Sequence, residues 1–171
     1  MSWFGKKKLK EVDVAKHFSE LVMQRVKISW PLDSVKIQTM VDNEYIISSD
    51  SNACVYFGIA VLTAHMQAMN NILPKEQATR MRGYILSNYP WNYREVVQLY
   101  EKKWDECLNL DELPFIGIAS VLYEKVVSCA ALTNDSGSPK NLFLLQILAD
   151  TIIFCCGPCW KKLVEEFDIV P

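Results

Sequence analysis

From residue 10 onward, apolar side chains recur every three or four positions, and short breaks rich in Pro, Asn, Asp or Ser separate the runs. That rhythm predicts helices. Over residues 10–28, Val14, Phe18, Leu21, Val22 and Val26 share one face, while Lys16, Glu20, Gln24 and Lys27 fall mostly elsewhere, as on a surface helix packing one stripe inward. The "SWPLD" that follows predicts a break, because proline lacks an amide proton and its ring crowds the preceding turn. A second helix is expected over 33–47, although Val35, Ile37 and the run Tyr45-Ile46-Ile47 also suit a short strand.

The polar cluster "SSDSN" supplies N-cap candidates for a helix over 52–70, whose opening "ACVYFGIAVL" is apolar nearly all round and predicts a central position. "LPKEQ", with Pro74 near the first helical position and Glu76 in the opening turn, starts a helix to about Ser87. In "YPWNYREVV", Asn92 is the expected N-cap, Glu95 the capping-box partner and Trp91 the residue that staples onto Val96, for a helix to about Leu108. One more helix is expected from near Leu113 to Leu132. Another follows Ser138-Pro139 through "KNLFLLQILADTIIFCC" to Gly157-Pro158, and "CWKKLVEEF" starts a short terminal one. The pattern predicts a single all-α domain over residues 10–171, a bundle of six or seven helices with 53–69 and 142–156 largely buried at its centre. Residues 1–9 are expected as a flexible basic and aromatic tail.

Composition narrows the function classes. Half of the 171 residues are hydrophobic and 22% are charged, which is a globular and not a disordered balance. At this length folding buries roughly 70% of the unfolded surface, enough for one real core. A net charge of −2 and a pI near 5.7 give no general attraction to nucleic acid, so no nucleic-acid partner is expected. Lys6, Lys7, Lys8 and Lys10 are followed by Glu11, Asp13 and Lys16 where a secretory signal places its apolar run; a cytoplasmic chain is expected, with its six cysteines reduced. Leu142 to Trp160 is long enough to span a bilayer, but Asp150 at its middle costs about 2.5–3.5 kcal/mol on insertion scales, so no transmembrane span is expected. Gln146 and Asp150, four apart, share a helical face and predict a narrow solvent-facing stripe.

The sharpest chemical signal is "FCCGPCW". The Cys-x-x-Cys of Cys156 and Cys159 resembles the dithiol of thioredoxin-like oxidoreductases, in which a helix starting at the motif lowers the thiol pKa. That resemblance implies a strand directly before the motif and most of a mixed domain after it, whereas here a helical pattern precedes it and 12 residues follow Cys159. The run "CCGPC" also resembles the cysteine motif of the epoxyqueuosine reductase family, which implies no more here than candidate metal thiolates at Cys155, Cys156 and Cys159. Without redox or metal chemistry, Cys155 reads as a small core hydrophobe and Gly157-Pro158 as a helix stop. Cys54, Cys107 and Cys129 sit on apolar stripes and read as core.

Other candidates carry weaker signals. His17 and His65 show no metal-ligand spacing, and no phosphate-binding glycine loop or nucleophile elbow occurs, so no cofactor and no catalytic residue is assigned. His65 and Asp150 are candidates for a shared buried polar contact. Trp91, Tyr93, Tyr100 and Trp104 lie on one helix; as core they need no function, and if exposed they are interface anchors. Trp3, Phe4, Lys6, Lys7 and Lys8 combine rings with ammonium groups, a pairing suited to weak contact with an anionic membrane surface. The reading favoured by the sequence is a non-enzymatic helical protein acting by protein binding or self-association. A thiol redox or metal-thiolate role is the alternative, and membrane-surface contact through residues 3–10 the second.

Overall fold

The computed structural model describes residues 6–41, 44–89, 91–129, 139–157 and 159–171, with backbone alone at 91, 92, 129 and 139–141. Its first helix corrects the break expected at Pro31: α1 runs from Glu11 to Met40 with the proline inside it. The reason is packing. Val22, Val26, Trp30, Ser34 and Ile37 form one buried stripe that passes the proline, whose own ring lies on the exposed side. Trp30 is fully buried and stacks on Phe57 with ring centroids 4.4 Å apart. Proline inside a helix costs about 3 kcal/mol, and burying a large side chain returns about 1.5–3 kcal/mol, so Trp30 and Ile37 together hold the axis on course. The Ser34 hydroxyl also donates to the Pro31 carbonyl at 3.2 Å.

The second expected helix therefore ends at Met40, and Tyr45–Ile47 is instead strand β2. It pairs antiparallel with β3, Val127–Cys129, which corrects the helix expected to reach Leu132. The Gln38 side-chain amide holds β2 to α1 like a third strand: its Nε2 donates to the Tyr45 carbonyl and its Oε1 accepts from the Ile47 N–H, both at 2.8 Å.

Helix α2, Ser51–Met69, is capped by Asp50, whose carboxylate accepts from the Ala53 N–H at 2.7 Å, and it buries side chains on nearly every side. Helices α3 (Lys75–Ser87), α4 (Trp91–Asn109) and α5 (Pro114–Val126) start close to the expected points, except that Asn92 lies inside α4 and not ahead of it. A bidentate Arg82–Glu101 pair, at 2.8 and 2.5 Å, ties α3 to α4. α4 and α5 meet backbone to backbone at Gly117, where a Cβ would fall 2.3 Å from the Lys103 carbonyl oxygen.

The last helices are α6, Pro139–Cys156, and α7, Cys159–Glu166, giving seven among the described residues. The all-α reading holds. Burial at the centre holds fully for α2 but only half for α6, which buries Leu144, Leu148 and Ile152 while leaving Leu142, Phe143, Ile153 and Phe154 exposed. An all-round apolar helix needs cover on every side, and α1 closes against α6 only sparsely.

Lys7–Lys10 is strand β1, paired in parallel with β4, Phe167–Val170, although the sequence predicts residues 7–9 in the flexible tail and Lys10 at the start of the first helix. The Lys6 ammonium adds a hydrogen bond to the Val164 carbonyl. Directly after β1, Glu11 is fully buried and accepts from both Arg80 Nε and Nη2, at 2.9 and 2.8 Å. The Arg80 hydrogen bonds hold its carboxyl below the usual range against the opposing pull of burial. Gln77 completes this corner by donating to the Ile169 carbonyl at 2.8 Å.

Candidate functional site

The cysteine cluster stands at the joint between α6 and α7. α6 ends at Cys156, and Gly157 follows at φ 48, a left-handed conformation that glycine adopts without steric cost. Cys155 and Cys156 are buried and Cys159 is exposed. The Cys156 Sγ points to the Val61 carbonyl at 3.8 Å, and the Cys159 Sγ donates to the Cys156 carbonyl at 3.3 Å. Burial pushes the Cys156 thiol up to about 12, helped by the neighbouring Cys155 and Cys159, and burial likewise raises Cys155. Both are protonated at neutral pH, and a protonated thiol is a poor nucleophile and a poor metal ligand. The element before the motif is a helix, not the strand that the thioredoxin-like resemblance implies. Among the described residues, no three His, Cys, Asp or Glu side chains gather where they would hold a metal ion.

Two concave features run along the same side of α1. The first is a cavity of about 310 Å³ between α1, α2 and the α6–α7 joint, walled mainly by Phe18, Leu21, Val22, Val26, Val61 and Leu163. Its few polar groups come from Arg25, His65, Cys155, Cys159 and Trp160. Phe18 is the hinge of an aromatic cluster: its ring meets His65 edge-on at 5.0 Å and Trp160 at 4.5 Å. Trp160 is buried with no acceptor for its indole N–H among the described residues. Burial pushes the His65 pKa down to about 4, with the Arg25 charge adding to the effect, so the imidazole is neutral at pH 7.

The second feature is a more open groove of about 420 Å³ between the C-terminal half of α1 and α6, with Ile37, Met40, Ile147 and Phe154 against Asp33, Lys36 and Asp150. Apolar side chains stand exposed on the two helices that border it: Phe154 at 79%, Ile28 at 74%, Leu32 at 62% and Val35 at 60%. Met40, Leu142, Phe143 and Ile153 extend the exposed apolar surface of the same two helices.

The residues singled out by sequence are placed as follows. His65 is buried as expected, but Asp150 is exposed, so their shared contact is not formed; the carboxylate instead accepts from Gln146 Nε2 at 2.9 Å on the outer stripe. A charge without a buried cation stays in water. Tyr100 is fully buried and its hydroxyl donates to the Tyr56 carbonyl at 3.2 Å, so it is a core residue and not an interface anchor. Tyr93 and Trp104 are half-buried against the core, with Trp104 edge-on to Phe115 at 5.0 Å; the Trp91 side chain lies outside the described residues. Trp3 and Phe4 also lie outside them, while Lys6 bonds to Val164 and Lys7 and Lys8 belong to β1. Arg25, Trp160 and Phe154 were not singled out in advance. The signal for Phe154 was its place opposite Leu148 and Ile152 on an all-apolar helix; the cavity has no local signal, because four helices build it.

No protein-family model, no curated protein and no solved structure matches this chain.

Proposed function

We propose that this chain acts by binding and not by catalysis, and that its partner is a second copy of itself, seated across the outer face of α1 and α6. The observation that carries this reading is the concentration of exposed apolar side chains there. Eight of the 17 large hydrophobics that stand exposed among the described residues are Ile28, Leu32, Val35 and Met40 on α1 and Leu142, Phe143, Ile153 and Phe154 on α6. At on the order of 100 Å² each they total ~800 Å² over the two helices, comparable to the share one partner contributes to a standard interface. A two-fold contact needs one patch complementary to itself. Lys36 supplies a cation beside the anions Asp33 and Asp150, so both signs are present on this side. The protonated, buried Cys155 and Cys156 offer little support to thiol chemistry.

Light scattering on the full chain at tens of micromolar tests the reading. The wild type is expected at twice its 19.6 kDa chain mass, and Leu32→Glu and Phe154→Glu near one. A wild type that stays monomeric at every concentration overturns it. By length and composition the stretch Leu142–Glu166 also suits a membrane span. A monomeric wild type that floats with anionic vesicles, and loses flotation in Phe154→Glu, would assign this face to a bilayer instead.

A further inference from the structure

We infer that the cavity beside the α6–α7 joint is a binding site for a single-chain amphipathic anion, a medium-chain carboxylate. The walls set the tail. Phe18, Val22, Val26, Val61 and Leu163 present hydrocarbon, which favours an apolar chain and offers no partner for a polar body. The cavity's 310 Å³ holds about ten water-sized groups, at ~30 Å³ each, and so takes a chain of roughly eight to ten carbons and is too small for a two-chain lipid.

Three groups set the head. Arg25 borders the cavity from the exposed face of α1 and makes no hydrogen bond or ion pair among the described residues, so its five N–H donors are open to a carboxylate. Trp160 lines the same space, 2% exposed, with an indole N–H that has no acceptor among the described residues. A buried donor without an acceptor is uncommon in a folded protein, and of the two such indoles among the described residues, Trp30 and Trp160, Trp160 is the one that lines the cavity, where a ligand can bring the acceptor. His65 adds a neutral imidazole, which donates one N–H and brings no charge of its own. Donors and one cation, without a carboxylate among the lining residues, select an anion over an ammonium group. An apolar tail selects a fatty carboxylate over phosphate or sulfate.

The site is separate from the outer α1–α6 face, so its test is separate too. Titration calorimetry on the full chain with decanoate, decanol and decyltrimethylammonium distinguishes the contributions. Decanoate is expected to bind with a Kd well below ~1 mM, decanol more weakly and the cation not at all. Arg25→Gln, a change at an exposed position, is expected to weaken decanoate about tenfold while leaving decanol unchanged. Leu163→Trp, which fills the cavity, is expected to abolish both, with circular dichroism showing that each variant keeps its helices. Decanoate bound no more tightly than decyltrimethylammonium, or with equal affinity by wild type and Arg25→Gln, would overturn the site, as would no binding at all.

Discussion

Replacing Pro31 with alanine should stabilise this protein, and the size of the gain reports whether α1 is continuous. Pro31 sits between the buried Trp30 and the buried Ser34, with its ring on the open side, so an alanine methyl there creates no cavity and meets no neighbour in the core. Alanine restores the N–H that can donate to the Lys27 carbonyl one turn back and removes the ring that crowds that turn; in a helix interior the difference is about 3 kcal/mol. Proline also restricts the unfolded chain, and losing that restriction returns about 0.4–1 kcal/mol to the unfolded side. The net expectation is about 2 kcal/mol, which for a chain of this size raises Tm by about 4–8 °C. Thermal unfolding followed at 222 nm and urea titration check the same quantity. An unchanged or lower stability would mean that the chain turns at Pro31, as its sequence alone suggests, and would refute the packing argument built on Trp30 and Ile37.

Four other outcomes follow from single contacts. Gly117→Ala places a methyl against the Lys103 carbonyl and should cost about 1–3 kcal/mol in urea unfolding by prising α4 from α5. Gly83→Ala, with nothing within 4 Å in an exposed helix interior, should instead gain about 0.5–1 kcal/mol. The Glu11 carboxyl is held below its ordinary value near 4.5, so its contribution is fully present above that pH and is lost as pH falls through the lower folded value; the stability gap between wild type and Glu11→Gln should be largest at neutral pH and narrow below about pH 4.5 in denaturant titrations at several pH values. With a colorimetric disulfide reagent under native conditions, Cys159 should react first and Cys156 only on unfolding, because the latter thiol is buried and held up to about 12.

Local signals carried most of the helices. Asp50 caps α2 from within the polar cluster that marked it, Pro74 and Pro114 stand where α3 and α5 begin, and Gly157 ends α6. What escaped depends on partners distant in sequence. Pro31 breaks a helix by its own chemistry and fails to do so here because Trp30 meets Phe57 of α2. β1 and β4 are four residues each and become strands only because the two ends of the domain lie side by side, which no periodicity announces. Glu11 looked like one more polar residue at a helix start, and its burial requires Arg80 from α3. The thiol motif was legible as letters but not as chemistry: whether Cys156 is a nucleophile rests on its burial beneath Val61, a property of the packed molecule. The cavity was invisible for the same reason, since Arg25, His65 and Trp160 come from three helices.

The claim on which the functional reading stands is that the exposed apolar face of α1 and α6 is covered by a second copy in solution. Hydroxyl-radical footprinting of the full chain at low and high concentration measures that cover at the side chains themselves. Oxidation of Phe154 and Met40 should slow markedly as concentration rises, while that of Tyr84, exposed on α3, stays constant. Equal oxidation of Phe154 and Met40 at both concentrations would contradict the account.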